Sequence, residues 1–87
     1  MYYVYLIVER GTGKRYIGFT KDLAKRLKRH NSGSGGKTTS GGIWKLVYYE
    51  AFLSNKDAMA REYKLKHDGR SRRFVYERSA NSLAGQK

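Results

Sequence analysis

The sequence predicts an α+β domain in which three strands carry helices on one or both sheet faces, in the order β-β-α-β-α-α. Three observations predict it. Apolar, aromatic and β-branched residues form two glycine-punctuated extended stretches at the N-terminus and one apolar run in the middle. Helical spacing with capping residues follows the second and the third of these stretches. The chain has 87 residues, 39% of them hydrophobic, which suffices for one modest core and leaves no room for a second domain.

The elements justify themselves in chain order. Tyr2 to Val8 alternates, Gly11 and Gly13 punctuate it, and Arg15-Tyr-Ile-Gly resumes extended character, giving a β-hairpin. Thr20 or Asp22 can accept from the free amides of a first helical turn. Leu23, Ala24 and Leu27 recur at helical spacing up to His30, with Asn31 and Gly33 as stop signals, so the first helix is expected over about residues 21–31. Residues 32–42 contain no apolar side chain and five glycines and read as a flexible loop. Ile43 to Phe52 is the most hydrophobic stretch and is expected to be the central strand. Ser54 with Asp57 three positions on resembles a capping box, opening a helix through about His67 that Gly69 ends. Arg72 to Leu83 reads as a last, weaker helix, with 84–87 a frayed tail.

Composition excludes several classes. There is no cysteine, so neither a disulfide framework nor a thiolate metal site is available. No apolar run approaches the roughly 20 residues that span a bilayer, and the start MYYVYLIVERG lacks a basic segment and a small-residue cleavage site, so a cytoplasmic protein without membrane association is expected. Gly36-Lys37-Thr38 invites a phosphate-loop reading, but that motif needs glycine where Asn31 stands, and it follows a strand rather than a helix. Nucleoside triphosphate binding is not expected.

Charge is the strongest global signal. Nineteen Lys and Arg against seven Asp and Glu give a net charge of +12, a field that attracts nucleic acid. Nine of the basic residues and one acid lie between Arg10 and Lys37, and seven with three acids between Arg61 and Arg78. The two zones suggest two walls of a groove.

Candidate site residues fall beside these zones. Arg26 and His30 are four apart and project from one side of the first helix, next to Lys25 and Arg29. A guanidinium fork suits the non-bridging oxygens of a phosphodiester. Tyr16 precedes the glycine turn into this helix and Tyr5 sits on the paired strand, so two phenols and one guanidinium are placed to converge. The plainer account of the same residues is core tyrosines, a solvated arginine and a histidine favoured at a helix C-terminus. Glu62 has a simple ion-pair partner in Lys66, four residues on, yet its helical neighbours Ala58 and Leu65 point it towards packed protein. A hydrated Mg²⁺ or Mn²⁺ suits a carboxylate in such a basic setting.

Tyr3-Val4-Tyr5, ten residues, then Tyr16-Ile17-Gly18, followed by Arg26 and His30 in DLAKRLKRH and Glu62 in AREYKLK, resembles the GIY-YIG nuclease superfamily. The NSG after the first helix and the KLVYYEAF strand are similar in particular to its small stand-alone bacterial and archaeal members. Tyr3 stands where the first motif has glycine, and the asparagine that often follows the glutamate helix has only Asn55 and Asn81 as nearest candidates. The resemblance implies a three-stranded antiparallel sheet flanked by helices and phosphodiester hydrolysis assisted by one divalent ion. It implies that Glu62 holds the metal, Arg26 neutralises transition-state charge, and a tyrosine accepts the proton of the attacking water, Tyr16 with Tyr5 orienting it, with His30 as the alternative base or a phosphate ligand. With no room for a specificity domain, a weakly sequence-specific nuclease acting on DNA rather than RNA, selective for structures such as flaps, branches or single strands, is expected. Lys14, Lys21, Lys25, Arg29, Lys37, Lys66, Arg70, Arg72 and Arg73 would track phosphates. A DNA- or RNA-binding module without catalysis is the competing expectation.

Overall fold

A computed structural model describes residues 1–32 and 42–80. Strands β1 (Tyr2–Glu9), β2 (Arg15–Thr20) and β3 (Trp44–Phe52) and helices α1 (Leu23–Asn31), α2 (Asn55–His67) and α3 (Gly69–Arg78) follow the expected order. The sheet is antiparallel throughout, in the order β2-β1-β3. The central strand is therefore β1, not the middle apolar run. Val4 to Val8 are buried without a break because both faces of β1 are covered, whereas Lys45, Tyr49 and Ala51 keep β3 half in solvent. The apolar side chains of β3 favour it on sequence alone; unbroken burial on two faces decides for β1.

The alternation of β1 divides the core in two. Val4, Leu6 and Val8 point to one face and pack with Ile17, with Ala58 and Leu65 of α2 and with Val75 of α3. Tyr5 and Ile7 point to the other and pack with Trp44, Tyr16, and Leu23 and Leu27 of α1. Burial of one side chain such as Leu65 contributes about 1.5–3 kcal/mol. The sheet is thus sandwiched between α1 and the α2–α3 pair. A register shift between Leu6 and Ile7 against β3 leaves Val47 as the extra residue, turned into the α2 face.

Local chemistry sets the element ends. Asp22 caps α1 by accepting from the Lys25 amide at 3.0 Å, while Thr20 Oγ1 accepts from the Asp22 amide. Ser54 caps α2 by accepting from the Asp57 amide, as its spacing predicts. The last helix begins three residues earlier than the sequence suggests and ends at Arg78. The reason is Asp68, whose carboxylate accepts from the Arg70 amide and from Ser71, making it an N-cap and putting Gly69 inside a helix rather than after one. Arg15 stacks its guanidinium 4.3 Å above the Tyr76 ring and ties α3 to β2. A bidentate Arg61–Glu50 pair at 2.8 and 2.9 Å, with Tyr48 donating to the same carboxylate, joins α2 to β3. No helix among the described residues is long and apolar enough to cross a membrane. The expected loop at 32–42 and tail at 84–87 lie almost wholly outside the described residues.

The hairpin turn is organised by Glu9. Its carboxylate accepts from the Thr12 hydroxyl and the Thr12 amide at 2.8 and 2.7 Å, and Gly13 supplies the positive φ of 76°. The Thr12 hydroxyl and backbone amides hold the Glu9 carboxyl down to about 2. Because the folded value is depressed, this stabilisation is complete above the ordinary carboxylate range and is lost as pH falls towards 2. Glu9→Gln is expected to melt below wild type at pH 7, with the difference closing as pH approaches 2 in a series of thermal melts.

Candidate functional site

The α1 face of the sheet collects most of the residues that carry chemistry. Tyr5 pairs with Gly18 and Ile7 with Tyr16, so Tyr5 and Tyr16 are diagonal neighbours on this face, their rings 6.4 Å apart. His30, in the last turn of α1, completes the cluster: its ring lies 5.9 Å from Tyr5 and 5.3 Å from Tyr16, edge-on to the latter. Tyr5 Oη and His30 Nε2 form a buried hydrogen bond of 2.8 Å. Both residues are nearly inaccessible, at 2% and 1% exposure.

That burial fixes protonation. Desolvation, with Tyr16 alongside, pushes the Tyr5 phenol up to about 12, and the Arg26 guanidinium pulls against it. Desolvation also lowers His30 below its ordinary value, reinforced by the positive charge of Arg26 and Arg29. Both partners are neutral at pH 7.

Gly18 makes the arrangement possible. A Cβ built there would collide with the Tyr5 hydroxyl and would stand 2.5 Å from Cζ and 2.8 Å from Cε1. The phenol lies flat over the position where every other residue has a side chain.

The acid arrives from α2. Glu62 Oε2 pairs with Lys66 Nζ at 3.1 Å, and the same ammonium stands 5.6 Å from the Tyr16 ring. Arg26, half-buried on α1, and Glu62 both lie close enough to Tyr5 to bias its titration. The other four residues singled out for catalysis therefore gather around Tyr5. No group of three or more His, Cys, Asp or Glu that could hold a metal ion occurs among the described residues. The donor set is one hard carboxylate beside cationic groups.

The GIY-YIG catalytic domain family model matches residues 1–75. The chain belongs to the GIY-YIG family. The GIY-YIG chain is 44% identical over 73 residues to a UPF0213 protein of Halalkalibacterium halodurans, covering 83% of this chain and 77% of the relative. A UPF0213 protein of Halobacterium salinarum is 38% identical, covering 84% of this chain and 95% of the relative. The solution NMR structure of a UPF0213 protein from Bacillus halodurans superposes with a TM-score of 0.59 at 36% identity, over 100% of this chain and 96% of that one. The family is one of the nuclease superfamily, and the two motifs fall on β1 and β2.

The basic residues are less concentrated than the GIY-YIG site. Lys14, Lys21, Lys25, Arg29, Arg70 and Arg73 are exposed or partly so, and Lys21 lies 5.6 Å from the Tyr2 ring. Arg72 donates to the Leu65 and Lys66 carbonyls at 3.2 and 3.0 Å and caps the end of α2. Lys37 lies outside the described residues. The two basic zones do not form two walls of one groove, because α1 and α3 pack on opposite faces of the sheet. Lys66, at the end of α2, is the cation that approaches the tyrosine cluster from the second zone. Asn55 opens α2 in an exposed position, and Asn81 lies outside the described residues.

One positioning residue is not legible in the sequence. Asn31, expected only as a stop signal, donates from Nδ2 to the Trp44 carbonyl and accepts the Trp44 amide on Oδ1, at 3.0 and 2.6 Å. It clamps the turn that carries His30 to the start of β3. An asparagine after a histidine gives no signal of its own; the pairing appears only in three dimensions.

Gly18→Ala is expected to displace Tyr5 and lower the melting temperature, whereas Gly69→Ala, whose new Cβ meets only Arg72 at 3.6 Å, is expected to be neutral or stabilising. Thermal melts of the two variants check this.

Proposed function

We propose that this chain is a metal-dependent nuclease that hydrolyses phosphodiester bonds in DNA with little sequence preference. The observation that carries the reading is the convergence of Tyr5, Tyr16, His30, Arg26 and Glu62 from four elements at one end of a +12 chain. A purely structural tyrosine cluster has no need of a carboxylate brought from the opposite side of the sheet.

In this reading Glu62 holds one Mg²⁺ or Mn²⁺. The residues fit such an ion: these cations take one or two carboxylates and complete their shell with water and substrate phosphate. The i,i+4 pair with Lys66 is worth only a few tenths of a kcal/mol and yields readily to a divalent charge. When bound, the ion supplies charge neutralisation at the scissile phosphate and the leaving oxygen.

The chain's own residues do the rest. Arg26 donates to the non-bridging oxygens, where negative charge accumulates as the water oxygen bonds to phosphorus. Tyr16, the more exposed of the two tyrosines, accepts the proton of that water as a phenolate, its own proton having gone to solvent, while the bond from phosphorus to the leaving oxygen breaks. Tyr5 is the poorer acceptor, because burial raises it to about 12 and its hydroxyl is bonded to His30. Its task is to fix His30 and the shape of the site, and His30, buried and bonded to Tyr5, holds that shape rather than touching water or phosphate. Lys14, Lys21, Lys25 and Arg29 hold the flanking backbone.

Cleavage of labelled single-stranded, duplex and flap DNA with Mg²⁺ or Mn²⁺ tests this. Glu62→Ala and Arg26→Ala are each expected to lower the rate by about 10²-fold or more, as loss of one transition-state donor does elsewhere. Arg26→Lys is expected to recover little, because the fork is lost. Wild-type protein that binds but never cuts, or variants that cut equally well, would leave a binding module. Affinity measured by anisotropy is expected to fall roughly 10²-fold between 50 and 200 mM salt if about four phosphates are gripped. A salt-independent affinity would contradict a phosphate-dominated interface.

A further inference from the structure

Helix α1 covers only half of its sheet face. Its apolar contacts end at Tyr5, Ile7, Trp44 and Leu46, towards the end of the sheet where β3 begins. At the other end the same face presents Tyr3 opposite Ala51 and Tyr49 opposite Tyr5, with Met1 and Leu53 just beyond the strand ends. Tyr49 is 53% exposed, Met1 63% and Leu53 86%. Tyr3 meets Tyr49 edge-on, ring centroids 5.9 Å apart and planes at 69°. An edge-to-face partner holds an exposed ring in one orientation and leaves one of its faces for something else.

We propose that Tyr49, steadied by Tyr3, is a stacking platform for an unpaired nucleobase of the strand held at the Tyr5 site. The inference rests on the nucleic-acid reading of that site. Continuity supports it: Tyr49 is the cross-strand partner of Tyr5, so the platform begins one strand spacing, about 4.8 Å, from the tyrosine cluster. Charge supports the choice of occupant. A second copy of a +12 chain is repelled, whereas a polyanion is drawn in and its phosphates are met by Arg26 beside Tyr5. An aromatic ring on an open sheet face, next to a cationic track, is how single strands are gripped without sequence readout, because every base has a π-face. Paired bases are stacked within the duplex and cannot reach such a ring. The platform therefore favours single strands, flaps and frayed ends over intact duplex, and it does so through Tyr49 rather than through the cationic residues.

The test reads binding, not cleavage. A short single strand carrying one 2-aminopurine is titrated in EDTA with wild type, Tyr49→Ala, Tyr49→Phe and Tyr49→Trp, with sedimentation velocity run in parallel. Wild type, Tyr49→Phe and Tyr49→Trp are expected to quench the base, while Tyr49→Ala loses the quench and binds the strand about ten-fold or more weakly, with duplex binding left near wild type. Four results would overturn the proposal: quenching by Tyr49→Ala equal to wild type, Tyr49→Phe failing as badly as Tyr49→Ala, equal loss of duplex binding, or a change in self-association in place of the base signal. Because no bond is cut, failure of the nuclease reading and failure of the platform are separable. A protein that never cleaves but quenches through Tyr49 loses the first and keeps the second.

Discussion

The hydrogen bond between Tyr5 and His30 is the constraint on which the site depends. It spans the space between the central strand and the last turn of α1, and neither partner meets bulk water. A buried polar pair of this kind contributes about 1 kcal/mol when satisfied, but leaving either group without its partner costs more, about 1–3 kcal/mol. The asymmetry gives α1 one preferred seating on the sheet. Two further residues serve that seating. Gly18 vacates the space that the phenol occupies, and Asn31 anchors the adjoining turn to the backbone of β3.

The two-sided central strand explains how so small a chain supports a polar cluster at all. Val4, Leu6 and Val8 serve the larger core under α2 and α3, and this leaves Tyr5 to hold a second, smaller core that tolerates a histidine. The division also determines where charge can gather. Residues on α1 and α3 face away from each other across the sheet, and α2, reaching beyond β1 towards β2, is the element that brings an acid and a lysine to the α1 face.

Much of this is legible in the sequence. Element order, the cap at Ser54, the narrowing of the first cap to Thr20 or Asp22, and the meeting of Tyr5 with Tyr16 follow from local patterns, since hairpin register is dictated by strand alternation. The GIY-YIG spacing carries the family, and the family-model match over residues 1–75 bears it out. Strand order is where the sequence misleads, because the apolar content of a segment does not say whether one face or two are covered; β3 is apolar but open. Asp68 is hidden as a cap because Gly69 offers a simpler helix stop. The Asn31 clamp, the burial of His30 and the separation of the basic zones are long-range facts with no local signature.

The Asn31–Trp44 clamp has a consequence for how the chain tolerates change. Its two hydrogen bonds close the connection between α1 and β3 at the base, so the ends of that connection meet whatever lies between them. Ring closure is then a property of the fold, and lengthening the segment adds only a slowly growing entropic cost. The histidine just upstream therefore takes its seating from a contact between the last turn of α1 and the start of β3.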